Sequence, residues 1–324
     1  MTIPRPPEFS AFRTLSAKLG QDPLRVQGPG GNTSIKDGHV MWIKASGTEL
    51  AEAVERDIFV PVDRAAALSE ARGEAGDGSC KSTVIDPGNT LRPSIETTFH
   101  AALDWPVIAH THSIATLVHA VSPDGIAALQ AKLDGLPFVT VPYAKPGLPL
   151  TGEILARTTA RTQVIVLGNH GLIICGADVA GVATLTEEVE ARLAVPARSV
   201  VRHIPDTPAP DGFEWAEESW IAIDDRSCAI AAAGSYYPDH VVFLGPALPA
   251  TDHDGARPAL LIPGQGVALR NDATASQRAM LRCLSDLLIR LPDDWTPKAI
   301  GAAAEAELLD WDAEKYRQAL AARS

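Results

Sequence analysis

Aromatic residues are scarce in this chain, 5% of 324 positions, and no stretch approaches the roughly 20 apolar residues that a membrane-spanning helix needs. The opening MTIPRPPEFSAF holds no apolar core of the secretory type, so the expected location is cytoplasmic and soluble. Basic runs are also missing, and the formal net charge is -12. Neutralising phosphates requires clustered Lys and Arg, so neither a nucleic acid nor an anionic membrane is an expected partner. The four cysteines (Cys80, Cys175, Cys228, Cys283) lie far apart and form no Cys-x-x-Cys pair. They read as reduced, mostly buried thiols, not as a disulfide framework. Neither GxGxxG nor GxxxxGK[ST] occurs, which removes the usual dinucleotide and nucleotide-phosphate fingerprints.

What remains is a 46% hydrophobic chain rich in Ala, Gly and Pro, long enough to bury a core in one large domain or two modest ones. Short apolar runs alternate with helical patterns, which indicates an α/β or α+β class. Helices are expected at 8–20, near 63–72, from Ser94 as N-cap through IETTFHAAL, from about Ile114, and over 178–195. Strands are expected at 39–46, 57–63, 106–112, 137–143, 163–168 and 171–176. GPGGNTSIK (28–36) reads as a glycine-rich turn leading into the first of these strands. HIPDTPAPDGF (203–213) carries three prolines and marks a boundary. The expected division is therefore a catalytic domain at 1–205 and a smaller α/β region at 206–324. That second region shows strand patterns at 240–245 and 259–264 and helical patterns near 273–291 and 310–322. The order strand, glycine-bearing turn, short strand, Asp, long helix occurs at 163–195 and again from 259, with Gln265 where His170 sits. A degenerate partial repeat and chance similarity both fit that order.

The feature with chemical content is His110-Thr111-His112 at the end of an apolar strand. Residues i and i+2 of a strand share a face, so both imidazoles can meet one divalent ion. Alone, a His-x-His is more often a pair of satisfied surface histidines. A third histidine, His170 in Gly168-Asn169-His170-Gly171, again follows an apolar strand and raises the value of the pair. Three histidines with an open position suit a catalytic zinc. Glu96 is the candidate acid/base, although a first-turn Glu can also serve just its own helix. His100, four residues on, fits a fourth ligand less well than a supporting or packing role. GPGGNTS and Lys44-Ala45-Ser46-Gly47-Thr48 fit an anion cradle and a plain turn equally.

In order along the chain, GGNTSIKDGHVMWIKASGT, RPSIETTFHAAL, VIAHTHS and LGNHGLIICG resemble the class II aldolase/adducin superfamily, which includes fuculose-, rhamnulose- and ribulose-phosphate enzymes. KASGTELAEA, HVVFLGP and LLDWDAEKYRQAL resemble a longer subgroup that includes the aldolase part of rhamnulose-phosphate aldolase/short-chain dehydrogenase fusions. The resemblance implies a mixed sheet flanked by helices, in a three-layer fold, assembled as a homo-oligomer, usually a tetramer. It implies His110, His112 and His170 as metal ligands, Glu96 as acid/base, and Asn32, Ser46, Gly47 and Ser94 as substrate- or phosphate-binding positions. The metal implied is Zn2+ or another divalent ion such as Mn2+ or Co2+. The implied reaction is cleavage of a ketose phosphate, or a related hydroxy-ketone, through a metal-stabilised enediolate to a dihydroxyacetone phosphate-type product and an aldehyde. Decarboxylation or epimerisation of an oxo sugar acid or phosphate on the same site is the alternative, and a non-catalytic adducin-like binding protein is the third. Two departures stand out. The family's serine pair before the glutamate is Ser94-Ile95 here, and the tyrosine that some members use as proton donor has only Tyr143 as a weak counterpart.

Overall fold

The computed structural model describes residues 3–202, 204–252 and 255–322. Within them the chain forms two compact units, one of residues 1–116 and 128–194, the other of residues 117–127 and 195–324. Residue 203, in the proline-rich stretch, lies outside the described residues.

The first unit is built on a seven-stranded sheet. Its strands are β1 (Asn32–Asp37), β2 (Val40–Lys44), β3 (Phe59–Asp63), β4 (Val107–Thr111), β5 (Phe138–Val141), β6 (Val164–Leu167) and β7 (Gly171–Gly176). The spatial order is β3-β2-β1-β4-β7-β6-β5, and every neighbouring pair is antiparallel except β5 with β6. That parallel pair needs a crossover, which residues 142–163 supply with a helix at Leu148–Leu155. The central strands β4 and β7 are buried along their whole length, which is why their sequences read as continuous apolar runs.

Two helical layers cover the sheet. Helices α1 (Phe9–Gln21) and α7 (Val179–Leu193) touch each other and strands β1, β4 and β7. Helices α2 (Arg64–Ala71), α3 (Thr97–Ala102) and α6 (Leu148–Leu155) form the other layer. The few aromatic residues are concentrated: Phe9 and Phe12 of α1 meet Trp42 at 5.1 Å and Phe59 at 4.7 Å between ring centres, respectively. On the opposite face Phe99, Ile108, Ile165 and Ile173 join Leu150 and Ile154 in a buried cluster. His110 shares the face of Ile108, two residues away, and so points into the layer that α3 occupies.

Two expectations change here. Asn32–Asp37 is itself a strand, paired with both β2 and β4, whereas the sequence reads as a turn because its glycines precede it and its residues are polar. Ser94 does not cap α3. The helix starts at Thr97 with Glu96 at the N-cap, and the Ser94 hydroxyl accepts the Glu96 N–H instead, at 3.2 Å.

Helices α4 (Ile114–Ala120) and α5 (Pro123–Lys132) carry the chain into the second unit and back out of it. The second unit holds a three-stranded antiparallel sheet of β8 (Phe213–Trp215), β9 (Ala259–Ile262) and β10 (Gly266–Arg270), ordered β8-β10-β9. Its helices include α8 (Trp220–Ile223), α9 (Asp225–Ala233), α10 (Pro238–Leu244), α11 (Ala275–Leu288), α12 (Ala302–Leu309) and α13 (Asp312–Ala321). The run HVVFLG, expected as a strand, lies in α10. Pro238 starts the helix, Gly245 ends it at φ 80°, and burial of all seven residues makes the apolar run uninformative about period.

His240 of α10 is fully buried, and among the described residues neither ring nitrogen has a hydrogen-bond partner. Burial pushes it down to about 3, so the folded chain keeps it neutral while the unfolded chain protonates it below its ordinary value of 6.5. Its contribution to stability is therefore complete above pH 6.5 and falls as pH drops from 6.5 toward 3, by about 1.4 kcal/mol per unit. Urea unfolding between pH 4 and 7 should show this slope, reduced in His240→Leu; an identical slope in that variant refutes the assignment.

Candidate metal centre

The end of β4 delivers His110 from the strand and His112 from just beyond it, and the β6–β7 turn delivers His170. All three rings are buried, and one ligand nitrogen from each lies within 4.8 Å of the other two. The ring centres form a near-equilateral triangle with sides of 4.9, 5.0 and 5.3 Å.

Close backbone approach makes this possible. A Cβ on Gly171 would sit 2.3 Å from the Thr111 carbonyl oxygen and 3.3 Å from His110 Cε1. A Cβ on Gly31 would sit 2.8 Å from the His110 carbonyl oxygen, and its φ of +58° favours glycine independently. Asn169 takes the left-handed conformation (φ 53°) just before His170, a role that asparagine tolerates better than most residues. The buried Lys44 ammonium donates to the carbonyls of Pro29 (2.9 Å) and Gly31 (3.1 Å), anchoring the glycine turn from beneath. Lys44 thus supports the turn, where the sequence allowed it as a donor to ligand.

His110 Nδ1 lies 3.0 Å from the Leu172 carbonyl, which can only accept. Nδ1 therefore carries the proton, and the Nε2 lone pair faces the triangle, as a ligand nitrogen must. Into the same space projects Glu96, 4% exposed, with Oε2 3.4 Å from His110 Nε2 and Oε1 3.6 Å from His170 Nε2. Burial raises the carboxyl, whereas His110 and His170 when protonated, with the Asn32 hydrogen bond, hold Glu96 below its ordinary value.

Asn32 stands opposite His110 in the β1–β4 register. Its amide donates to Glu96 Oε2 (2.8 Å) and Ser94 Oγ (3.1 Å), and its Oδ1 meets His100 Nε2. Asn32 is therefore occupied with organising Glu96. His100, four residues from Glu96, stands behind the triad and bonds Asn32 and Ser34, not the histidine group. Ser46 and Ser94 are brought close by an antiparallel bridge between Ala45 and Pro93, with Ser46 N–H donating to the Arg92 carbonyl and Ser94 N–H to the Lys44 carbonyl. Gly47 follows at φ 77°. The Ser46 hydroxyl is buried and has no hydrogen-bond partner among the described residues. Ser34 and the Leu172 carbonyl are missing from the sequence reading. Ser34 had a signal, a buried polar residue on the same strand face as Asn32, but that signal appears only once β1 is recognised as a strand.

The donor set fits a divalent cation of the zinc type. Tetrahedral bonds of about 2.1 Å place donor nitrogens roughly 3.4 Å apart, within small side-chain adjustments of the observed triangle. His110, His112 and His170 would hold the ion, with Glu96 beside it.

Residues 15–195 match the family profile "Class II Aldolase and Adducin N-terminal domain". The chain is 28% identical over 193 residues to the uncharacterized oxidoreductase YuxG of Bacillus subtilis, spanning 54% of this chain and 27% of that protein. It is 31% identical over 126 residues to a 3-oxo-tetronate 4-phosphate decarboxylase of Haemophilus influenzae, spanning 33% of this chain and 59% of that protein. The chain thus covers less than two thirds of either relative. Among solved structures, the N-terminal class II aldolase domain of a conserved protein from Thermoplasma acidophilum matches with a TM-score of 0.52 and 25% identity, over 60% of this chain and 95% of that one.

In protein loaded with a divalent ion such as Zn2+, His112→Ala and His170→Ala should each reduce the metal retained after dialysis from about one ion per chain to near zero, read by elemental analysis. Stoichiometric metal in either variant would sink the ligand set.

Proposed function

The chain belongs to the class II aldolase and adducin N-terminal domain family, and on that premise we propose that it is a divalent-metal-dependent lyase of the aldolase type. Its substrate on this reading is a ketose phosphate or related hydroxy-ketone, cleaved to a dihydroxyacetone phosphate-type product and an aldehyde. The observation that carries the reading is the Glu96 carboxylate set 3.4 and 3.6 Å from two of three clustered histidines. A scaffold protein has no need of a buried acid beside a ligand triad, since both carry desolvation costs.

When bound, a divalent cation supplies Lewis acidity to the carbonyl oxygen, where negative charge develops. The chain's own groups do the rest. As the carbon–carbon bond breaks, the hydroxyl on the departing carbon gives its proton to the Glu96 carboxylate and becomes the aldehyde carbonyl. The electron pair stays on the carbon beside the ketone carbonyl, and Glu96 then delivers the proton to that carbon. In the condensation direction Glu96 removes that proton. Burial of Glu96 and the three histidines limits competing water. Ser46, Gly47 and Ser94 line the neighbouring loops, where backbone and hydroxyl donors suit a phosphate or carboxylate, and Asn32 reaches the same place through Ser94.

The catalytic part is taken as residues 1–205, and residues 206–324 as a smaller α/β region. The working form is taken as a cytoplasmic homo-oligomer, a tetramer. No helix among the described residues is long and apolar enough to cross a membrane.

Similarity to the 3-oxo-tetronate 4-phosphate decarboxylase favours a second reading. Loss of CO2 from a 3-oxo acid leaves an electron pair on the carbon beside a carbonyl, which the same groups can protonate. Incubation of the Zn2+, Mn2+ or Co2+ form with ketose 1-phosphates and with 3-oxo acid phosphates separates the two. Dihydroxyacetone phosphate is expected from the first panel, whereas CO2 from the second alone would replace aldolase by decarboxylase. Glu96→Gln should retain metal while kcat falls by roughly 10²–10⁴-fold on the productive substrate. Unchanged turnover in that variant would remove Glu96 from the mechanism.

A further inference from the structure

A line of buried polar groups leads through His100 and Asn32 to Glu96. The Ser34 hydroxyl lies 2.7 Å from His100 Nδ1, His100 Nε2 meets Asn32 Oδ1, and Asn32 Nδ2 lies 2.8 Å from Glu96 Oε2. All four side chains are buried, Ser34 and His100 completely.

Elementary donor chemistry fixes the direction of each bond. A carboxylate only accepts, so Asn32 turns its NH2 toward Glu96 and its Oδ1 toward His100. His100 Nε2 must then carry the proton, and Nδ1 accepts from the Ser34 hydroxyl. Burial pushes His100 well below its ordinary value, with Lys36 and His110 acting the same way, so it stays the neutral imidazole that this pattern requires. A flipped Asn32 would face its NH2 against the His100 N–H and its carbonyl against the carboxylate. In this tautomer His100 reinforces the amide orientation that the Glu96 carboxylate requires.

The consequence falls on the two carboxylate oxygens. Oε2 is held by Asn32, whereas Oε1 has no hydrogen bond among the described residues. We propose that His100 is a positioning residue that acts through Asn32 to tie down Glu96 Oε2, leaving Oε1 as the oxygen that carries the proton. This rests on the acid/base role of Glu96 in the proposed function. No atom of His100 touches the histidine triad's ligand space, so its contribution is orientation, not metal binding.

The test combines a structural readout with a kinetic one. In the zinc-loaded protein, side-chain 15N resonances, with His100 assigned by its loss in His100→Gln, should show the neutral Nε2-protonated tautomer. An Nδ1-protonated or charged ring overturns the proposal. Exchange of a carbon-bound proton of dihydroxyacetone phosphate with D2O, followed by NMR, then reads Glu96 directly. In His100→Leu the maximal exchange rate should fall on the order of 10²-fold, with metal content and KM at wild-type values. In His100→Gln, whose amide N–H can reach Asn32 Oδ1 from about the position of imidazole Nε2, most of the rate should return. Full exchange in His100→Leu overturns the proposal. So does an equal loss in both variants, or a loss that tracks metal loss, because either marks a purely structural role. Wild-type protein that exchanges nothing tells against the aldolase reading instead, and the tautomer measurement then decides the relay by itself.

Discussion

Burying the Glu96 carboxylate carries a cost of several kcal/mol unless charges and hydrogen bonds offset it. Around Glu96 the Asn32 amide supplies a hydrogen bond at 2.8 Å, and His110 and His170, at 3.4 and 3.6 Å, would hold the cation that supplies the charge. Each requires a particular backbone placement. His110 arrives only because β1 and β7 press against β4 so closely that Gly31 and Gly171 have no room for a Cβ. Asn32 arrives because the β1–β4 register sets it opposite His110. Glu96 sits at the N-cap of α3 without capping it through its side chain, and its N–H is held by the Ser94 hydroxyl. The glycines, the register and the displaced helix start thus serve one carboxylate.

The face of β1 that meets α3 extends this logic beyond the centre. Asn32, Ser34 and Lys36 alternate along one face of the strand, and all are buried. They meet Glu96, His100 and the carbonyls of Leu103 and Trp105, in that order along α3 and its C-terminal end. Strand steps of two residues match helix steps of about four, so one ladder of polar pairs ties the strand to the helix. Its last rung closes the C-terminus of α3, where orphan carbonyls need donors and a cation is favoured. A satisfied rung contributes only about 0.5–1.5 kcal/mol net, whereas a broken one leaves a buried group costing about 1–3 kcal/mol. The ladder thus enforces one register more than it adds stability. That is what a residue two bonds behind the carboxylate needs if it is to fix which oxygen reacts.

The same ladder explains what could and could not be read from the sequence. His110, His112 and His170 are legible because they stand at the ends of apolar strands, where an imidazole has little packing role. β4, β6 and β7 are legible as those apolar runs. β1 is not, because its buried face is polar, and polar residues after a glycine run read as a turn. With the strand hidden, Ser34 has no visible partner, and His100 can be placed on the helix but not on its target. Ser94 reads as an N-cap because a serine ahead of an apolar helix normally caps it. Here Glu96 turns toward the histidines, and the cap position shifts with it. In the second unit the HVVFLG run fails for a different reason: α10 is buried on all sides, so its apolar pattern has no period to read.

Retro-aldol cleavage and decarboxylation both leave an electron pair on the carbon beside a carbonyl. On the proposed reading, Glu96, the histidines and the His100–Asn32 chain act on that shared carbon and its oxygens, and so serve either outcome equally. Discrimination must therefore come from groups that meet the departing fragment or hold the far end of the substrate. On the proposed reading, Ser46, buried with a hydroxyl unbonded among the described residues, and Ile95, half-buried between Ser94 and Glu96, are candidates for this part. A hydroxyl offers a donor to an anionic group, whereas an isoleucine offers none and excludes water from its surroundings. On the proposed reading, the choice of leaving fragment is thus separated in space from the chemistry that makes it leave. The deep polar ladder fixes the proton's path, and the shallower loops at 44–48 and 92–95 set what is cleaved.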